Sequence, residues 1–73
     1  MTPLETLCRE RITVHPAIMV GKPVVTGTRI PVERVLESLA VQPDLAELFA
    51  AYPRLTVDDV RACLAYAWTA VAT

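Results

Sequence analysis

Five of the seven basic side chains in this sequence, Lys22, Arg29, Arg34, Arg54 and Arg61, fall near turns or helix starts, where anions are commonly held. Arginine brings a planar fork of five donors that matches a carboxylate or a phosphate. Arg29 follows Gly27 and Thr28, and Gly27 admits the positive φ that a tight turn needs. The Arg29 fork has three candidate acceptors: a carboxylate of its own fold, a carboxylate of a protein partner, or a DNA phosphate. Lys22, Thr28 and Arg29 form the candidate partner-binding set, and Arg34, Arg54 and Arg61 the candidate DNA-binding set. Asp58 and Asp59 stand against DNA, because carboxylates in the first turn of a helix repel phosphate while favouring capping and the helix dipole.

Catalytic chemistry finds no such set, and the chain reads as a non-enzyme without metal or cofactor. Gly21-Lys22 lacks the spacing of a phosphate loop, and Pro23 removes a backbone N–H where a phosphate needs one. His15, the single histidine, has no second histidine or carboxylate pair to complete a metal or proton-transfer site, and it reads as a turn residue before Pro16. Ser38 lies on a helix with neither base nor oxyanion glycines near it. Cys8 and Cys63 show no C-x-x-C spacing and read as free thiols.

Seventy-three residues make one domain, expected to span 1–73, and a chain of this size buries only about 60% of its unfolded surface. Against that, 53% of the residues are hydrophobic and the mean hydropathy is +0.41, more apolar material than a small monomer easily hides. A partner surface is therefore expected, with a homodimer as its simplest form. Seven basic and eight acidic residues give a formal charge of −1, so nucleic acid is not called for by charge alone. The longest uncharged run, residues 62–73, is 12 residues long and falls short of the roughly 20 that cross a bilayer. Charges at Glu5, Arg9, Glu10 and Arg11 interrupt any signal-peptide core, so a cytoplasmic protein without membrane contact is expected.

The elements that position these residues follow from periodicity. Residues 1–11 form an N-terminal arm or short helix, with Leu4, Leu7 and Cys8 on one face. Residues 12–30 form a β-arm: Ile12 and Val14, then Val24 and Val25, read as two short strands bounded by Pro16, Gly21, Pro23 and Gly27. The prolines keep such a sheet small and made of edge strands. Residues 31–73 form a tri-helical unit. Pro31 opens a helix with Val32, Val35, Leu36 and Leu39 on one face, ending near Val41. Asp44 caps a second helix with Leu45, Leu48, Phe49 and Tyr52 inward, which Pro53 stops. Thr56 and Asp59 form a capping box for the third, with Leu55 and Val60 as a hydrophobic staple. Its period, Val57, Val60, Leu64, Ala67 and Val71, predicts the core stripe. That leaves Arg61, Ala62, Ala65, Tyr66, Trp68 and Thr69 outward, where the alanines admit a neighbouring helix and Tyr66 and Trp68 anchor a dimer interface. The fold class is mainly α: a β-hairpin arm and then three helices with the short turn of a helix-turn-helix.

The segment GKPVVTGTR from Gly21 to Arg29, followed by Ile30-Pro31-Val32, by Tyr52-Pro53-Arg54-Leu55-Thr56 with Asp59-Val60, and by Ala62-Cys63-Leu64-Ala65-Tyr66-Ala67, resembles the bacterial family of domain of unknown function 433 over about residues 12–70. The resemblance implies a homeodomain-like helix-turn-helix and an antitoxin role, often encoded beside a toxin with a PIN-like ribonuclease fold. The family usually places a glycine after the first helix of the tri-helical unit; here Gln42-Pro43 stands there, so Gln42 must end that helix another way. Two classes of function follow. One is an antitoxin of a type II pair that binds and neutralises a PIN-like ribonuclease and binds operator DNA as a dimer. The other is a dimeric protein-interaction module without DNA contact.

Overall fold

The last helix organises the molecule, and the sequence sets its start firmly. In the computed structural model, which describes residues 3–17 and 19–72, the helices are α1 (Pro3–Arg11), α2 (Val32–Val41), α3 (Leu45–Ala51) and α4 (Val57–Val71). Thr56 Oγ1 accepts from the Asp59 N–H at 3.1 Å, and Asp59 Oδ2 accepts from the Thr56 N–H at 3.0 Å, which completes the expected capping box. Leu55 and Val60, the expected staple, are both buried in the core.

The face that α4 buries differs from the one its period predicts. Val60, Ala62, Cys63 and Ala65 are buried along with Asp59, whereas Val57, Leu64 and Val71 are 54%, 51% and 84% exposed. The cause is α1. Its residues are more than an arm: they form a helix that packs along α4, half-burying Leu4, Leu7 and Cys8. The Cys8 thiol reaches the Ala62 carbonyl at 3.8 Å. The neighbouring helix admitted by Ala62 and Ala65 is therefore α1 of the same chain, because only small side chains allow so close an approach. Met1, Thr2 and Thr73 lie outside the described residues.

Two strands, β1 (Ile12–Thr13) and β2 (Val24–Val25), form the antiparallel hairpin, with Ile12 opposite Val25 and Thr13 opposite Val24. Val24 also bridges to Pro31, and the Val32 N–H donates to the Pro23 carbonyl at 2.9 Å, so β2 lies between two chain segments rather than at an edge. Both its valines are buried. A 3-10 turn, Met19–Gly21, lies between the strands.

Pro31 stands at the N-cap of α2, whose Val32 and Val35 are buried with Leu36 and Leu39 packed beside them. Gln42 ends α2 in an extended conformation with its N–H donated to the Ser38 carbonyl at 2.9 Å, so no left-handed glycine is needed there. Asp44 caps α3 by accepting from the Ala46 N–H at 2.9 Å. Leu48 is buried and Phe49 and Tyr52 pack against the core, but Leu45, expected inside, is 42% exposed in the first turn.

Candidate functional site

At the end of the hairpin the backbone is tightly specified. The Thr28 N–H donates to the Val25 carbonyl at 3.0 Å across a turn with Gly27 at φ +82°. Positive φ at only the third residue of such a turn is the type II arrangement that glycine fits. The Thr28 hydroxyl then donates to the same carbonyl at 2.8 Å and accepts from the Ile30 N–H at 3.0 Å. Thr28, a candidate partner contact, is thus half-buried and occupied inside the turn. Beside it Arg29 is exposed and makes no hydrogen bond or ion pair with the described residues. The internal-clamp alternative for its guanidinium finds no carboxylate among the described residues.

The clamp exists elsewhere, at a residue whose role the sequence reading missed. Arg11, at the end of α1, donates to Asp59 Oδ1 at 3.1 Å and lies 3.6 Å from Asp58. Asp59 is buried and closes both this pair and the capping box, so one carboxylate joins the end of α1 to the start of α4. The adjacent acidic pair Asp58-Asp59 was the available signal, although sequence spacing gives no hint that α1 returns to it.

The remaining candidates divide by partner. Lys22 pairs with Glu33 at 2.6 Å on the surface, and its hydrogen bond and charge, with a smaller contribution from Arg34, hold the Glu33 carboxyl below the usual range. Of the DNA-binding set, Arg34 lies 3.6 Å from Glu37 and Arg61 donates to Asp58 at 3.1 Å. Arg54 is exposed in the turn between α3 and α4 and has no ion pair among the described residues. These three arginines stand on different elements. His15 Nδ1 accepts from the Ala17 N–H at 3.1 Å, the local turn contact expected before Pro16. Ser38 is half-buried beside the groove between α2 and α3.

Tyr66 and Trp68 are both on α4 but on different sides. Tyr66 is half-buried, packs against the core, and borders a pocket with Cys8 of α1; Trp68 is 54% exposed beside Leu64. Burial pushes the Cys63 thiol up to about 11, with the charges of Asp59 and Cys8 adding, and burial also raises Cys8. Both thiols are therefore protonated and poorly nucleophilic at neutral pH.

The segment carrying the hairpin and α2 to α4 is also what related proteins share. Residues 12–67 match the family described as "Protein of unknown function (DUF433)". An uncharacterized protein, y4eO, from Sinorhizobium fredii (strain NBRC 101917 / NGR234) is 39% identical over 59 residues, covering 81% of this chain and 27% of that protein. The chain thus spans about a quarter of that relative's length. No solved structure matches. The match runs from the first strand of the hairpin into the outer turns of α4, and on that extent this chain belongs to the DUF433 family.

Proposed function

We propose that this protein is a cytoplasmic antitoxin of a type II pair, a folded binding module that neutralises a PIN-like ribonuclease. The observation that carries the reading is Arg29: an exposed guanidinium without a partner among the described residues, placed beside a turn that Gly27 and Thr28 hold in one conformation. The held backbone fixes where the side chain starts from, and its guanidinium can meet a carboxylate with two parallel hydrogen bonds. A carboxylate on the partner ribonuclease is the acceptor that an exposed arginine on such a turn fits. Lys22 lies on the same hairpin and contributes positive charge to its surface while paired with Glu33. Purified chain titrated into the PIN-like ribonuclease encoded beside it is expected to form a complex and suppress RNA cleavage. Undiminished cleavage with no complex would overturn the proposal.

Operator DNA binding is the second activity, favoured by Arg54, which has no ion pair among the described residues in the turn that leads into α4. Arg34 and Arg61 must exchange a carboxylate partner for a phosphate, so binding is expected to be weak and steeply salt-dependent. Loss of operator binding in an Arg54→Glu, Arg61→Glu double variant is the expected outcome. Binding unchanged in that variant places the DNA surface elsewhere, and a wild type that binds none leaves a protein-interaction module.

A further inference from the structure

The face that α4 turns to solvent has a regular composition. Val57, Arg61, Leu64, Trp68 and Val71 follow one another at spacings of 4, 3, 4 and 3, and all five are exposed. That is the 3.5-residue period of a helix-pairing seam, with Val57, Leu64 and Val71 at one heptad position and Arg61 and Trp68 at the other. The seam runs about 21 Å along the helix, from ~1.5 Å per residue. Leu4 and Leu7 of α1 widen it, lining with Leu64, Ala65 and Trp68 a shallow apolar groove of about 280 Å³. Four large apolar side chains more than half exposed along one line are more than a chain of this size leaves unpartnered.

We infer that this seam pairs antiparallel with the α4 seam of a second copy of the chain, across a two-fold axis beside Leu64. Charge selects both the occupant and the direction. A parallel pair sets Arg61 against Arg61 and Asp58 near Asp58, with like charges apposed and helix dipoles aligned. The antiparallel pair sets Leu64 on Leu64, Val57 on Val71, and Arg61 over the partner's Trp68, where a guanidinium and an indole face attract. The pattern is thus its own complement under a two-fold rotation, as an isologous interface requires. Arg61 is then an interface residue closed to a phosphate, so that operator contact by the dimer rests on Arg34 and Arg54, and Tyr66, which faces away from the seam, takes no part.

Self-association is measured on the chain alone and so stands or falls separately from the ribonuclease reading. Light scattering from low to high micromolar concentration is expected to give a dimer for the wild type, and Leu64→Arg, at a half-exposed site where circular dichroism checks that the chain still folds, is expected to weaken association about tenfold or more. Direction is read by oxidative cross-linking in a Cys8→Ser background, where Cys63 stays buried. Leu64→Cys is expected to link to its own mate, and Val57→Cys, with its two copies about 21 Å apart at opposite ends of the seam, is not. A wild type that stays monomeric, a Leu64→Arg variant that dimerises as before, or a Val57→Cys variant that links to itself overturns the proposal; a monomer assigns the seam to a different protein.

Discussion

Arg11 and Arg29 flank the hairpin in the chain, one before β1 and one beyond β2, and have opposite fates. Arg11 is tied to a buried carboxylate that also caps α4, with a second carboxylate near; Arg29 is exposed on a turn whose hydrogen bonds are closed by Thr28 without it. The same side chain is structural where a desolvated acceptor waits for it and available where none does. The difference teaches that a turn arginine is judged by what its turn already satisfies. Around Arg11, one carboxylate completes a cap and an ion pair, and losing any member strands another. Around Arg29, nothing in the fold is left unpaired when the side chain is cut away.

The largest effect is expected at the anchored end. Asp59→Ala removes the reciprocal half of the capping box and leaves Arg11 with only its longer contact to Asp58. A lost cap costs about 1 kcal/mol and a broken, partly buried ion pair adds about as much again, so a loss of about 2 kcal/mol is expected in denaturant titration. A loss below about 0.5 kcal/mol, the size of an ordinary surface substitution, would erase the contrast between the two ends.

The second effect concerns Cys63, buried on α4 four residues beyond Asp59. Its thiol ionises at about 11 in the folded chain against 9.0 ordinarily. A group whose folded value is raised favours the fold fully below its unfolded value and loses that contribution as pH rises through the folded one. Stability is therefore expected to fall between pH 9 and about 11 by up to ~2 kcal/mol on this account. Melting temperatures of the wild type and Cys63→Ala across that window provide the check: parallel profiles would show that Cys63 ionisation contributes nothing.

Much of this frame was legible in the sequence because the signals were local. The Thr56–Asp59 box, the Asp44 cap, the Gly27 turn and the apolar faces of α2 and α3 each depend on residues within one or two turns of one another. Contacts across the chain were not legible. The stripe of Val57, Val60, Leu64, Ala67 and Val71 was visible, but periodicity states that a helix has an apolar stripe and not which neighbour covers it. The inner face went to Ala62, Cys63 and Ala65 because α1 returns to lie on them, a contact some 54 residues away along the chain for Cys8 and Ala62. The Arg11–Asp59 pair spans 48 residues and was hidden for the same reason. Arg29 was identifiable as a turn arginine, whereas its lack of an acceptor among the described residues needed the whole fold.

A smaller effect is expected at Gly27, where the turn after β2 is tested. A methyl group there meets nothing within 4 Å, so Gly27→Ala carries only the backbone cost of φ +82°. That cost is about 1 kcal/mol for a residue with a Cβ. If the turn relaxes freely instead, thermal melts of the variant and wild type will coincide, and the idea of a turn held in one conformation fails.

The smallest effect on stability, and the most informative one on function, is expected for Arg29→Ala. The turn is built from the Gly27 backbone, the Thr28 hydroxyl and the Val25 carbonyl, and β2 and α2 are joined by the Val32 N–H to the Pro23 carbonyl. None of these bonds uses the Arg29 side chain, so truncation should change the unfolding free energy by no more than about 0.5 kcal/mol. An arginine that anchors a protein interface costs about 2 kcal/mol or more when removed, because its pocket on the partner is left with an unpaired, desolvated acceptor. Stability and inhibition should therefore separate in this one variant, in contrast to Asp59→Ala, where both fall together. Arg29→Lys sharpens the test, since it keeps the charge but not the two-pronged geometry, and should restore inhibition only in part. Melts paired with ribonuclease inhibition assays decide it: a large drop in melting temperature with inhibition intact would make Arg29 a structural residue like Arg11 and remove it as the carboxylate-binding group of the proposed mechanism.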